Sequence, residues 1–387
     1  MKQIYLDNAS TSFPKPENVS KAVYEYMTQS GCNINRGSYN KAYQTEEIVL
    51  DTRQLICDFF NGPDCKNVVF TKNITESLNF ILKGYLKSGD HVLVSEMEHN
   101  AVMRPINQLE KHGITFTRIP CDNQGFLITD NLENLLQTNT KMLIMTHASN
   151  VCGSIMPLKE IGEFCQKHNL IFVLDSAQTA GLLDIDMKLM NIDALCFTGH
   201  KGLMGPQGIG GFIITDKLVN QLEPLISGGS GSISHLEEIP DFMPDRFEAG
   251  TLNLPGITGL YHGLTWINET GRDNILSHEI DLTEKFITGL KELETSGDIK
   301  LIGTKDMTRR IGVISIQTLK KDIAEVAYIL DDKYHIMTRV GLHCAPSAHK
   351  ALGTYPTGTL RFSFGYWNTE KHIETTLIAL KEICHGI

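Results

Sequence analysis

Short apolar runs rich in β-branched residues recur along the first two thirds of the chain, at residues 68–71, 91–95, 115–120, 141–146, 170–175, 194–198 and 210–214. Runs of this length, bounded by polar and glycine-rich segments, read as strands buried on both faces. Between them lie stretches with helical spacing of apolar positions, such as 75–85 and 158–167. This alternation predicts an α/β fold with a mainly parallel seven-stranded sheet and helices on both sides. After about residue 254 the pattern changes: 281–293 and 322–331 read as amphipathic helices, and 310–317 and 358–363 as strands of a separate sheet. The expected organisation is a large domain over 16–254 and a smaller α+β domain over 255–387. Residues 1–15, too few to fold alone, are expected to join the smaller domain. The one low-complexity stretch, SGGSGS at 227–232, reads as a mobile loop, and no internal repeat is present.

The 387 residues are long enough for two such units. With 35 Lys+Arg against 45 Asp+Glu the formal net charge is −10, which argues against a general nucleic-acid or anionic-membrane binder. No run approaches the ~20 apolar residues of a membrane span. The first residues, MKQIYLDNASTSFPKP, lack the apolar stretch of a secretory signal, so the cytoplasm is the expected location. The nine cysteines, at 32, 57, 65, 121, 152, 165, 196, 344 and 384, form no CxxC, and no HExxH occurs. Neither a disulfide framework nor a metal site is expected, and most of the thiols read as buried side chains.

Candidate chemistry clusters just after the strands, where an open α/β sheet places its ligand. Lys201 follows a buried strand and opens a glycine-rich turn, GHKGLMGPQGIG. Burial lowers a lysine's pKa and suits its amine to Schiff-base chemistry, although a surface loop lysine gives the same local pattern. Asp175 ends the strand LIFVLD and precedes Gln178. A carboxylate there can pair with a protonated ring nitrogen, or simply cap the next helix. TKNITES, with Thr75, runs from strand into helix and presents free N–H groups to a phosphate, or is an ordinary cap. His99 is placed to stack on a ring or to serve structurally, and Asn150 to bind a ligand oxygen or to shape a turn. Taken together, five strand ends supply the parts that pyridoxal 5′-phosphate requires.

The motifs YLDNAST, INRG, TESLN, EHNA, SNVCG, DSAQ, GHKGLMGPQGIG, FEAGT and RVGLHCA run in this order along the chain. With them the chain resembles the class V aminotransferase-like pyridoxal-phosphate enzymes, which share the aspartate aminotransferase-like fold. Within these it resembles the cysteine desulfurase and selenocysteine lyase family, in particular the short-loop group with the pattern RxGHHCA. The resemblance implies that Lys201, Cys344 and His99 are the catalytic set: cofactor-bound lysine, sulfur nucleophile and ring-stacking histidine. It implies that Asp175 partners the ring nitrogen and that Gln178 and Asn150 lie around the cofactor's phenolic oxygen and the substrate. Ile74, Thr75, Thr198 and His200 would hold the phosphate. Thr251 would reach the phosphate of a neighbouring subunit, so a homodimer with shared active sites is implied. Arg361 would grip the substrate carboxylate, with Arg339, Ala9, Asn35 and Asn150 also at the substrate. Cys344 is flanked by Arg339 and His343, read here as positive neighbours that favour a thiolate.

The implied activity converts L-cysteine to L-alanine and moves sulfur as a persulfide to a protein acceptor, such as one serving iron–sulfur cluster assembly. Three departures from the pattern stand out: Leu342 at the first His of GHHC, Asn35 before Arg36, and Asn73-Ile74 before Thr75. They keep L-selenocysteine open as a substrate. An aminotransferase, or a non-catalytic sulfur carrier on the same scaffold, are the other readings.

Overall fold

The structure, a computed structural model, describes residues 3–35, 37–233, 235 and 237–386. Arg36 of the INRG motif lies outside the described residues. The strands in chain order are β1 (Ile4–Tyr5), β2 (Val68–Thr71), β3 (His91–Ser95), β4 (Thr115–Ile119), β5 (Thr140–Thr146), β6 (Ile171–Asp175), β7 (Ala194–Thr198), β8 (Gly210–Ile214), β9 (Ile299–Ile302), β10 (Val313–Thr318), β11 (Ile336–Met337), β12 (Arg339–Gly341) and β13 (Thr359–Ser363). The α-helices are α1 (Glu17–Glu25), α2 (Asn40–Phe59), α3 (Ile74–Tyr85), α4 (Asn100–Glu110), α5 (Leu158–Lys167), α6 (Asp216–Val219), α7 (Leu254–Thr270), α8 (Arg272–Thr295), α9 (Ile323–Tyr334), α10 (Pro346–Ala351) and α11 (Glu370–His385).

The seven apolar runs form one sheet in the order β2-β8-β7-β6-β5-β3-β4. β8 is antiparallel to both of its neighbours and the remaining pairs are parallel. The inner strands are largely apolar because both faces are covered, whereas the edge strand β4 (TFTRI) is partly exposed. Leu93, Leu143, Phe172, Leu195 and Phe197 point to one face, into a core built with α2, α5 and α7. Their neighbours Val92, Val94, Ile144, Val173 and Cys196 point to the other, against α3 and α4. This period of two sends every second residue of each strand to the opposite layer.

A second, antiparallel sheet has the order β12-β13-β10-β9 and packs with α8, α9 and α11 around Phe286, Ile314, Val326, Phe362 and Leu380. β1 pairs in parallel with β11, Ile4 opposite Ile336, and Ile4 and Leu6 enter the same core. Helix α8 is longer than the spacing at 281–293 predicts, starting at Arg272 just after Gly271. β10 starts at Val313 rather than at residue 310. There the guanidinium of Arg310, fully buried, turns back onto the carbonyls of Thr304, Ile311 and Val313, so the chain wraps around it instead of extending. Residues 227–232 form neither helix nor strand. No helix among the described residues is long and apolar enough to cross a membrane.

Candidate active site

Strands β7, β6, β5 and β3 run parallel, so Lys201, Asp175, Asn150 and His99 leave the sheet at the same edge. β2 is antiparallel to β8, itself antiparallel to β7, which brings the start of α3 to that edge as well. Asn73 caps α3 by accepting from the Glu76 N–H at 3.0 Å, while Glu76 Oε2 accepts from the Lys72 N–H at 2.6 Å. Gly210 lets this helix start come close: a Cβ there would sit 2.9 Å from the Asn73 backbone and from the Phe197 carbonyl oxygen. Beneath Lys201, Gly181 (φ +90°) leaves room for the turn, since a Cβ would meet the Gly202 carbonyl oxygen at 2.3 Å.

Burial lowers the Lys201 amine to about 8, with the Asp175 carboxylate acting in the opposite sense and Arg361 and Arg339 adding to the depression. Asp175 is buried, which raises its pKa, while the Ala177 N–H on Oδ1 at 2.9 Å and Lys201 hold it back. Gln178 Nε2 donates to the Ala9 carbonyl at 3.1 Å. Lys201, Gln178, Ala9, Ser12 and Asn8 line one small cavity between the two sheets. His99 caps α4: its Nδ1 accepts from the Ala101 N–H at 3.0 Å. Burial and the nearby Lys201, Arg339, Arg104 and Arg361 push its pKa down to about 4, so the ring is neutral near pH 7 and carries its proton on Nε2.

Arg361 is buried on β13, directly opposite Arg339 on β12. Its Nη1 donates to the Asn150 carbonyl at 2.9 Å, and its Nη2 donates to Asp7 Oδ1 at 2.7 Å and Ser10 Oγ at 2.8 Å. Arg339 Nη1 donates to the same Ser10 Oγ at 2.6 Å. The Nε of Arg361 is buried without a partner. The side chain of Asn150 is turned toward the segment before Cys344, donating from Nδ2 to the His343 carbonyl at 2.7 Å. Cys344 is the one exposed cysteine among the described residues, and its carbonyl accepts from the Asn100 N–H at 2.7 Å, next to His99.

One expectation changes in the structure. His343 is not a positive neighbour of Cys344: its ring is buried against Thr359 and His349, and its pKa is pushed down to about 2, chiefly by burial and then by Arg361. Thr251, expected to serve a neighbouring subunit, and Asn35 do not line the Lys201 cavity, and neither do Asp175, His99, Asn150 and Arg361. Thr251 and Asn35 line a polar surface pocket with Asp245 and Ser230, and Thr251 also faces a second pocket beside Lys72 and Glu76.

Several polar groups here carry no role from the motifs alone. Asp7 and Ser10 lie within YLDNAST, and the polar run straight after the apolar Ile4–Leu6 was the available signal. Lys15 Nζ donates to the His200 carbonyl and Ser12 Oγ, both at 2.7 Å, with its pKa lowered by burial to about 8. Glu98, fully buried behind His99, accepts from Ser95 Oγ at 2.5 Å and the Thr146 N–H at 2.8 Å, and burial raises its pKa to about 8.

A model of the aminotransferase class-V family matches residues 4–376. A probable cysteine desulfurase of Pyrococcus abyssi is 34% identical over 99% of this chain and 95% of its own length. One from Methanothermobacter thermautotrophicus is 32% identical over 98% and 94%. The chain belongs to the class V aminotransferase family, on its cysteine desulfurase branch. An apo cysteine desulfurase structure from Thermococcus onnurineus superposes with a TM-score of 0.91 at 33% identity, covering 100% of this chain and 95% of that one.

The family depends on pyridoxal 5′-phosphate. The residues present fit that group. Thr198 Oγ1 and His200 Nδ1 are buried polar atoms without a partner, as a cradle for an anion's oxygens requires. Thr198 ends β7 and His200 follows it, on the same edge as the N-terminus of α3, whose first N–H groups have no acceptor within the helix. A buried carboxyl at Asp175 and a low-pKa amine at Lys201 complete a donor set suited to a charged pyridine aldehyde.

Proposed function

We propose that the chain is a cysteine desulfurase: it takes the sulfur of L-cysteine onto Cys344 as a persulfide, releases L-alanine and passes the sulfur to an acceptor protein. The observation that carries this reading is the placement of Cys344. Its thiol is exposed while its own carbonyl is tied to the residue beside His99, at the rim of the Lys201 site.

Pyridoxal 5′-phosphate, bound here, supplies an electron sink for charge developing at the substrate's Cα. In this reading Lys201 anchors the cofactor and then, as a free amine, moves the Cα proton. Asp175 keeps a proton on the ring nitrogen, and neutral His99 covers the ring. Gln178 and Asn150, whose Nδ2 is held by the His343 carbonyl, would lie around the phenolic oxygen, and the Ile74 N–H, Thr75, Thr198 and His200 would hold the phosphate. Arg361 binds the substrate carboxylate with its open Nε, beside Arg339, Ala9 and Asn35. The Cys344 thiolate attacks the substrate sulfur: the S–S bond forms as the Cβ–S bond breaks, and that bond's electron pair stays on carbon and takes up a proton. We read the active unit as a cytoplasmic homodimer in which Thr251 serves the partner's site; on its own chain Thr251 lines a surface pocket apart from the Lys201 cavity. The corresponding division is a large domain over 16–254 and a small one over 1–15 and 255–387, except that α7, after the boundary, packs in the core of the large domain against α1 and α2.

Incubation of the cofactor-loaded protein with L-cysteine and a thiol reductant should yield sulfide and L-alanine in equal amounts. Transfer of the amino group to a keto acid, without sulfide, would refute the assignment. The Lys201 amine also predicts how the cofactor is taken up. Below a pKa of about 8 the nucleophilic fraction falls about tenfold per pH unit. Uptake by the apo chain, followed by visible absorbance, should therefore rise steeply from pH 6 to 8 and level off above. A rate still climbing to pH 10 would show that burial does not depress this lysine.

A further inference from the structure

The carbonyls of residues 150–153 are each held by the smaller sheet or by the segment leading into β10. Asn150 O accepts from Arg361 Nη1 at 2.9 Å, Val151 O from Ser315 Oγ at 2.6 Å, Cys152 O from Arg310 Nη2 at 3.4 Å and Gly153 O from the Ile311 N–H at 2.9 Å. Four consecutive carbonyls so engaged make this loop a fixed support. The Cys344 turn rests on it, because Asn150 Nδ2 donates to the His343 carbonyl at 2.7 Å.

A second connection starts at the His343 ring. Its Nε2 lies 3.0 Å from Thr359 Oγ1, Thr359 Oγ1 donates to Ser315 Oγ at 2.9 Å, and Ser315 Oγ donates to Val151 O. The direction of this chain is determined. A carbonyl only accepts, so Ser315 spends its proton on Val151 and must accept from Thr359. Thr359 has then spent its own proton and accepts from His343, whose neutral ring carries hydrogen on Nε2. The bare Nδ1, buried without a partner, is an acceptor and leaves no donor stranded. His343 and Cys344 both have positive φ, +47° and +57°, a left-handed backbone that needs its surroundings to hold it.

We propose that His343 is a positioning residue for Cys344: its ring heads a one-way hydrogen-bond chain through Thr359 and Ser315 to Val151, and this chain clamps the base of the Cys344 turn onto the 150–153 loop. The proposal rests on Cys344 being the sulfur nucleophile. It assigns His343 a geometric task in place of a charge or a proton transfer.

The test uses the cofactor-loaded protein and the pair Thr359→Val and Thr359→Ser. Valine keeps the shape and removes the hydroxyl, whereas serine keeps the hydroxyl. Thr359→Val should speed amide hydrogen exchange in the peptide spanning 342–346 by at least about tenfold and lower kcat for sulfide release by a similar factor, with KM for L-cysteine within about threefold. Thr359→Ser should stay within about threefold of the wild type in every readout. If Thr359→Val does not fold, Ser315→Ala breaks the same chain and takes its place. Unchanged exchange, or unchanged kcat despite faster exchange, overturns the proposal. Exchange does not depend on the reaction. If Cys344→Ala still releases sulfide, the nucleophile reading fails while the exchange result still decides whether the clamp exists.

Discussion

Cys344→Ala is expected to lower sulfide release from L-cysteine by at least about 100-fold while leaving the cofactor's visible absorbance in place. The separation follows from geometry. Cys344 sits on the turn after β12, in contact with the site through its backbone, and no hydrogen bond of its side chain supports Lys201, Asp175 or the phosphate cradle. None of the other eight cysteines is exposed. Burial pushes Cys57 up to about 11 and raises Cys121, Cys165 and Cys196 as well, and none of these four is exposed. A thiol held protonated in apolar surroundings is a poor nucleophile. Sulfide release by the variant within a few fold of the wild type, with a reductant present, would remove Cys344 from the reaction.

Arg361→Lys should reduce kcat/KM for L-cysteine by about 100-fold, equivalent to about 3 kcal/mol, mainly through KM. The guanidinium serves three directions at once. Nη1 holds the Asn150 carbonyl, Nη2 holds Asp7 and Ser10, and Nε is left free in the interior. An ammonium presents all its donors from one point, so a lysine satisfying Asp7 gives up the Asn150 carbonyl and the open donor together. Losing the Asn150 contact also loosens the support under Cys344, so a smaller fall in kcat is expected beside the rise in KM. Steady-state kinetics at several cysteine concentrations separate the two. A change below about fivefold in kcat/KM would mean that the substrate carboxylate is bound elsewhere.

The strands were plain in the sequence because burial on both faces leaves apolar runs such as IFVL at residues 171–174. Helix α2 was not, because its buried face includes Thr45, Thr52 and Arg53 among the apolar positions. Arg53 pairs with Glu248, 2.6 Å away across 195 positions of sequence, and also donates to the Val68 carbonyl. Helix α7 carries several glycines that read locally as loop. Their use is tertiary: a Cβ at Gly259 would meet Pro206 and Val23 at 2.8 Å. The same holds at the site. Lys201, Asp175, Asn150 and His99 stood out because each ends or follows its own strand. The bond from Arg361 to Asp7 spans 354 positions, and nothing local announces it. The charge of His343 was misjudged for a related reason. Its neighbours in sequence suggested an exposed cation, while its neighbours in space bury it as a neutral donor.

The measurement that bears most directly on the account is reductive trapping at Lys201. Cofactor-saturated protein treated with borohydride and digested should give one peptide carrying a pyridoxyl group, with the modification on Lys201. A label on another lysine, or no label in saturated protein, would contradict the assignment of this lysine and the chemistry built on it.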